Sequence, residues 1–149
     1  MPQLVIHTQI AAELTNVPSK SQFKKWAKAA LRVDTEVTIR IADAQEALEL
    51  NSQYRGKDYA TNVLTFVLSE TPILMGDIII CAPVVANEAN AQGIDLIAHY
   101  AHLTVHGMLH LNGFDHENEH QAELMEGLEI QILAKLGYAN PYLITEDAV

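Results

Sequence analysis

The sequence predicts an α+β fold in mixed α/β layers, with a small sheet of about four strands and about five helices. Segments in which apolar and polar residues alternate are interspersed with segments in which apolar residues recur every three or four positions. The chain has 149 residues, of which 49% are hydrophobic and 19% are charged, and this is sufficient for one hydrophobic core. It contains no internal repeat and no low-complexity tract, so residues 1–149 are predicted to form a single domain.

In the first half of the chain, strands and helices are expected to alternate. Residues 5–10 can form a first strand, and residues 19–22 have the spacing of a capping box that begins a first helix. Residues 36–42 alternate between polar and apolar side chains, as in a half-buried strand. Asp43 then caps a second helix that runs to about Leu50.

The second half is expected to begin with two strands and to continue with three helices. The strands are predicted at residues 62–67 and 76–81, and the helices at residues 83–92, 95–112 and 118–136. The last helix has an apolar stripe that we expect to face the core, formed by Leu124, Leu128, Ile132 and Leu136. The acidic residues in and just before this helix are expected to form a solvated face, namely Glu117, Glu119, Glu123, Glu126 and Glu129.

The charge is distributed unevenly along the chain. The formal net charge is −10, which by itself argues against a polyanionic partner. However, residues 1–57 contain eight of the nine Lys and Arg residues and have a net charge of +2, whereas residues 58–149 have a net charge of −12. A nucleic acid would therefore have to bind to the N-terminal half.

The remaining composition indicates a cytoplasmic protein that does not span a membrane. The longest apolar run is too short for a transmembrane helix. The N-terminus lacks the basic start and apolar stretch of a secretion signal. The single cysteine, Cys81, lies in an apolar run and is expected to be a buried small hydrophobic residue.

Residues 106–116 contain the most informative pattern in the chain. His106 and His110 are four positions apart, so on a helix they lie on one face, about 6 Å apart along the axis. Gly113 suits the left-handed residue that ends a helix, after which His116 can return to the same point. Three converging imidazoles are what Zn²⁺ with an open fourth position requires. We therefore predict a metal site on a central helix and the loop that follows it.

This spacing also occurs in zinc peptidases with the pattern H-E-x-x-H-x-x-G-x-x-H, in which the Glu is the general base. Gly107 occupies that position here. The pattern therefore indicates a metal site and argues against a peptidase. The competing interpretation, a helix whose histidines are merely hydrogen-bonded, would require three histidines and a glycine to fall in register without a function.

Two further histidines share the predicted helix. His99 is eleven positions, or about 16 Å, from His110 and cannot share an ion with it. His102 pairs with His106 but has no third ligand upstream at a suitable spacing. We expect His99 and His102 to be partly buried or to line the cleft. Asp115 can either orient a ligand imidazole or a bound water, or face solvent, and the sequence leaves both open.

A second candidate site lies at residues 54–58, followed by residues 61–62 before a predicted strand. Gly56 separates two cations, Arg55 and Lys57. Such a loop can clamp an anion, because Arg binds phosphate through two parallel hydrogen bonds. On spacing alone, an exposed turn is the favoured interpretation.

Residues 106–116 resemble the signature of the YbeY family of rRNA maturation factors, which are metal-dependent bacterial endoribonucleases. Residues 54–58 and 61–66 resemble a second block of that family, and residues 76–78 resemble a third. Element order and length agree over almost the whole chain. The departures leave the histidines and the arginine in place: Tyr59-Ala60 where a Pro is expected before Thr61, Thr65 for a frequent Ser, and Phe114 for a frequent Tyr.

The resemblance implies one Zn²⁺ held by His106, His110 and His116, with Arg55 as the essential cation facing it. These four residues would form the catalytic site of an enzyme that cleaves single-stranded RNA in small-subunit rRNA processing and ribosome quality control. The implied partners are RNA and the ribosome or its small-subunit components. The nucleophile, water or the 2′-hydroxyl of the substrate, stays open, as does the oligomeric state. The alternatives are a metal-dependent hydrolase of a peptide or amide, and a non-catalytic, zinc-stabilised ribosome-assembly factor.

Overall fold

The computed structural model describes residues 1–12, 14–57 and 59–142. Within these ranges the chain forms four strands and five helices, which confirms the predicted α+β class. The described residues include no helix that could span a bilayer. In chain order the elements are β1 (Leu4–Ile10), α1 (Lys20–Ala29), β2 (Thr35–Ala42), α2 (Ala44–Arg55), β3 (Val63–Ser69), β4 (Leu74–Cys81), α3 (Ala82–Gln92), α4 (Leu96–Leu111) and α5 (Glu119–Leu136).

The four strands form one sheet in the order β1-β2-β4-β3. β1 is parallel to β2 and β2 is parallel to β4, whereas β3 runs antiparallel to β4 at the edge. Parallel neighbours require a long crossover, which α1 supplies between β1 and β2. Because β3 and β4 both contact α4, this edge of the sheet lies against the helix that contains four of the histidines.

Alternation along the strands distributes the apolar side chains between the two faces of the sheet. Val37, Ile39 and Ile41 of β2 and Ile78 and Ile80 of β4 are fully buried. They belong to the main core, together with residues of α1, α4 and α5. The opposite face carries a smaller cluster that includes part of α2, formed by Ala42, Leu64 and Ile79 with Leu50 and Phe66.

Two glycines allow α4 to lie close to the sheet. A Cβ atom at Gly107 would lie 3.0 Å from Cγ2 of Ile78. A Cβ atom at Gly76 would lie 2.7 Å from both Cδ2 of Leu111 and the carbonyl oxygen of Phe66. Position 107 therefore faces β4, and a larger side chain there would collide with the sheet.

α2 is longer than the sequence predicts. The prediction ended it at about Leu50, but the helix continues to Arg55 and is followed by Gly56, whose φ of +66° is left-handed. Asn51 is buried within the added turn, and its Nδ2 donates to the carbonyl oxygen of Tyr59 at 2.8 Å. The added residues are polar, so apolar periodicity does not predict that they are helical. Arg55 thus extends from the last turn of a helix and not from a loop.

The buried face of α5 also differs from the predicted one. The buried residues are Met125, Glu129 and Leu133, whereas Leu124, which began the predicted stripe, is 53% exposed. The other residues of that stripe are partly buried and flank the core. Glu129, which was expected to be solvated, is completely buried. A buried carboxylate needs hydrogen-bond donors, and the sequence pattern of α5 alone does not reveal donors on another helix.

Gly76→Ala is expected to lower the free energy of unfolding by about 1–3 kcal/mol, because the new Cβ must displace a backbone oxygen as well as a side chain. Urea denaturation measures the change. The matched control is Gly127→Ala in α5, where a Cβ meets nothing within 4 Å and helix propensity predicts a gain of up to about 1 kcal/mol. A Gly76→Ala protein as stable as the parent would contradict the close packing of α4.

Candidate metal centre

The buried side of α4 determines which of its residues face the sheet and which face outward. Ten of its sixteen residues are buried, and Asp95 caps the first turn by accepting from the backbone N–H of Ala98 at 3.0 Å. His106 and His110 lie on the remaining, partly exposed side. Their spacing of four residues brings the two ring centroids to 4.6 Å.

A left-handed residue after α4 returns the chain to the helix. Gly113 has a φ of +93°, its N–H donates to the carbonyl of His110 at 3.0 Å, and the following N–H donates to the carbonyl of Leu109 at 3.1 Å. These two bonds form a Schellman motif, which ends a helix and reverses the chain. The ring centroid of His116 consequently lies 5.7 Å from that of His106 and 5.2 Å from that of His110.

The three imidazoles form a set of nitrogen donors. One ring nitrogen from each of His106, His110 and His116 lies within 4.8 Å of the other two. Tetrahedral zinc with bonds of about 2.0–2.1 Å places its nitrogen ligands about 3.3 Å apart, so small side-chain rotations suffice to close the set around an ion. Burial, and then the charges of the two neighbouring histidines, lower the pKa of His110. This favours the neutral ring that metals bind, and the three residues can therefore hold a metal ion.

Arg55 lies on the wall of the cavity that these histidines line. The cavity has a volume of about 490 Å³. Arg55 is exposed, as the sequence predicts, and its Nη2 donates to the carbonyl oxygen of Thr65 at 2.9 Å. Its guanidinium carbon also lies 5.7 Å from the centroid of the Phe66 ring. Both contacts are with β3 and hold the cation beside the histidines, whereas Asp58 of the same motif lies outside the described residues.

A buried carboxylate lies behind the histidines. Glu129 of α5 accepts from His106 Nδ1 at 2.8 Å through Oε2, and from His102 Nε2 at 2.6 Å through Oε1. The hydroxyl of Tyr142 also donates to Oε1. Burial raises the pKa of Glu129, but the hydrogen bonds from His102, His106 and Tyr142 outweigh it and lower the pKa to about 2. This role of Glu129 was not predicted from the sequence. The one signal there is that Glu129 lies four positions from an apolar residue on either side, Met125 and Leu133.

The ligand atoms of His102, His106 and Glu129 also lie close together. Their N–O separations of 2.6 Å and 2.8 Å are shorter than the roughly 3.3 Å between ligands of one tetrahedral zinc ion. Such short separations are typical of hydrogen bonds to a charged group. We therefore interpret this group as a hydrogen-bonded network that adjoins the three-histidine set, and not as a second metal site.

Asp115 supports the loop and not a ligand ring. Its Oδ1 accepts from the backbone N–H of His116 at 2.7 Å, and this hydrogen bond holds the pKa of Asp115 below its usual value. The sequence left two roles open for Asp115, orienting a ligand ring or bound water, and facing solvent. The carboxylate lines the cavity, but its hydrogen bond is to the backbone and not to a ligand ring. Its effect is to fix the segment that presents His116.

The other two histidines of α4 do not belong to the three-histidine set. His99 is buried, and its Nε2 lies 2.9 Å from a carboxylate oxygen of Glu88, which also accepts from Asn62 Nδ2 at 3.1 Å. His102 is partly exposed and lines a groove of about 330 Å³ next to the metal cavity. Both positions are those expected of residues that line or support a cleft.

Proteins of one family resemble the chain over most of its length. The family model for Endoribonuclease YbeY matches residues 7–137. The chain is 62% identical over 142 residues to the Endoribonuclease YbeY of Methylobacillus flagellatus, covering 95% of each protein. It is 54% identical to that of Nitrosomonas europaea, covering 95% of this chain and 87% of the relative. A solution structure from Thermotoga maritima is similar with a TM-score of 0.56 at 25% identity, covering 93% of this chain and 98% of the other.

His110→Ala is expected to abolish stoichiometric binding of zinc, because two imidazoles do not complete the donor set. Elemental analysis of protein that has been equilibrated with Zn²⁺ and desalted provides the measurement. His120→Ala is the matched control, since His120 is exposed on α5 and should be dispensable for zinc binding. Equal zinc content in the His110→Ala and parent proteins would show that the ligand set is wrong.

Proposed function

The chain belongs to the Endoribonuclease YbeY family, and from this membership we propose that it is a zinc-dependent endoribonuclease. Its proposed substrate is single-stranded RNA, cleaved during small-subunit rRNA maturation and ribosome quality control. The proposed partners are ribosomal RNA and the ribosome or its small-subunit components, and the proposed compartment is the cytoplasm. We also propose that residues 1–149 act as one domain.

The observation that carries this proposal is the shared cavity of three histidines and one arginine. His106, His110 and His116 would hold a single Zn²⁺, for which a set of three imidazoles with an open fourth position is suited. The bound ion would supply Lewis-acid chemistry at a phosphodiester. The protein's own contribution is to place these donors on a rigid helix and a capped turn, so that the site is formed before the substrate arrives.

Arg55 is proposed to bind the phosphate that is cleaved. A guanidinium has five N–H donors, and the bond to Thr65 uses one nitrogen while the side chain remains on the cavity wall. The other donors can bind the non-bridging oxygens and stabilise the negative charge that develops on them during the reaction. The anchoring contacts with β3 reduce the conformational entropy that the side chain loses when it binds.

A surface next to the cavity suits a single strand of RNA. A shallow pocket of about 200 Å³ shares Arg55 with the metal cavity and is also lined by Lys57 and Tyr59. Lys57 can bind a second phosphate, and the ring of Tyr59, which is 56% exposed, offers a face on which a base can stack. The two cations of this surface, Arg55 and Lys57, belong to the half of the chain that has a net positive charge, whereas Tyr59 and the three histidines belong to the acidic half. RNA phosphates are therefore expected to bind on the Arg55 side of the cavity.

The two alternatives have less support. A peptidase of this ligand spacing needs a general-base carboxylate after the first histidine, but Gly107 faces Ile78 of the sheet. A non-catalytic assembly factor would not need an arginine held across the cavity from its structural zinc. The nuclease proposal accounts for both features.

Arg55→Ala is expected to reduce cleavage of single-stranded RNA about 100-fold or more, because it removes a donor that acts on the developing charge. The initial rate of oligonucleotide cleavage by zinc-loaded protein measures this loss. Zinc content and unfolding free energy should remain near those of the parent protein. Lys24→Ala, which removes an exposed cation from α1, is the matched control and should leave the rate unchanged.

Other results would select a different function. Full cleavage by Arg55→Ala would remove the proposed role of the arginine. Cleavage of a peptide panel by the zinc-loaded parent protein, with RNA left intact, would identify a peptide hydrolase. A parent protein that cleaves neither substrate, and whose Arg55→Ala variant supports ribosome maturation in cells, would identify a non-catalytic assembly factor.

A further inference from the structure

We propose that Glu129 is a positioning residue of the metal centre, which holds His106 in the tautomer and ring orientation that present Nε2 to the ion. The inference rests on the proposed function only in assigning a metal to the three histidines. It deepens that proposal by identifying a residue of α5, remote in sequence, that prepares a ligand of α4.

The hydrogen-bond geometry identifies which nitrogen is available. Oε2 of Glu129 lies 2.8 Å from Nδ1 of His106. A carboxylate oxygen accepts, so Nδ1 must carry the hydrogen, and in the neutral ring Nε2 then has the lone pair that a metal requires. The bond also fixes the rotation of the ring about its own axis. Metal-bound histidines commonly have such an acceptor on their other nitrogen.

The other oxygen of the same carboxylate is occupied by different donors. Oε1 accepts from His102 Nε2 at 2.6 Å and from the hydroxyl of Tyr142. Oε1 therefore binds His102 and Tyr142, and Oε2 binds His106. This division also explains how the carboxylate can be 1% exposed, because three donors offset the cost of removing it from water.

The arrangement differs among the three ligands. Within the described part of the chain, His106 is hydrogen-bonded to a carboxylate through a ring nitrogen, and the rings of His110 and His116 have no such bond. The side chain of His106 is 18% exposed and contacts α5 through this bond. We infer that this pre-oriented ligand is the fixed point around which the other two imidazoles adjust when the ion binds.

The competing role for Glu129 is purely structural, a hydrogen-bonded contact that holds α5 against α4. A contact of that kind would contribute to stability but would have no effect on the metal affinity of the folded protein. The test must therefore measure metal affinity and ring tautomer separately from stability and from RNA cleavage.

The first measurement uses the unaltered, metal-free protein. ¹⁵N NMR of histidine-labelled protein should show His106 with a protonated Nδ1 and an unprotonated Nε2. The opposite tautomer would overturn the proposal without any variant. Because neither metal nor RNA is present, this result is independent of the proposed function.

The second measurement compares Zn²⁺ affinity by competition with a chromophoric chelator. Glu129→Gln and Glu129→Ala should bind Zn²⁺ about 10- to 100-fold more weakly than the parent protein, the usual loss when the partner of a ligand histidine is removed. Glu123→Gln, on the exposed side of the same helix, should bind Zn²⁺ as the parent does. Urea denaturation in the presence of chelator reports the stability of each metal-free protein.

The outcomes separate the two roles. Weaker zinc binding by folded Glu129→Gln supports the positioning role, whereas unchanged affinity with lower stability overturns it in favour of the purely structural role. If Glu129→Gln does not fold, Tyr142→Phe should move the Nε2 resonance of His102 and leave the tautomer of His106 unchanged. A change in the tautomer of His106 in that variant would contradict the assignment of Oε2 to His106 and of Oε1 to Tyr142 and His102. Normal zinc binding by a parent protein that does not cleave RNA would overturn the proposed function and leave the role of Glu129 standing.

Discussion

The close contact between α4 and the edge of the sheet determines where every proposed site residue lies. The helix lies close to β4 because Gly107 leaves room for the side chain of Ile78 and Gly76 leaves room for the side chain of Leu111. Once this side is buried, His106 and His110 can face only one way, toward the edge where β3 pairs with β4. The same edge accepts Arg55 from the end of α2. A packing constraint between two apolar surfaces thus sets the geometry of a polar site.

Behind this site, α5 contributes a charge where an apolar side chain would be expected. Glu129 lies between Met125 and Leu133 on the buried face, and its ionised form is stabilised by donors from α4 and from Tyr142. The position of α5 on α4 therefore depends on these polar contacts as well as on apolar packing.

The features that could be predicted from the sequence are local ones. The spacing of His106, His110 and His116 around Gly113 depends on one helix and its cap, and both follow general rules. The proposed role of Arg55 could not be derived in this way, because its anchors lie on β3, and only the family resemblance indicated it. Glu129 is 23 residues from His106. On α5, the predicted stripe that begins at Leu124 is one position away from the buried stripe of Met125, Glu129 and Leu133. The sequence of α5 alone does not distinguish the two stripes, because the donors that allow Glu129 to be buried lie outside that helix.

Three imidazoles are proposed to surround one ion and to leave a coordination position open. X-ray absorption spectroscopy of the zinc-loaded protein tests it most directly. The spectrum should show three imidazole nitrogens and one further oxygen or nitrogen ligand at about 2.0–2.1 Å. A first coordination sphere with fewer than three imidazoles, or one filled by four protein ligands, would contradict the account.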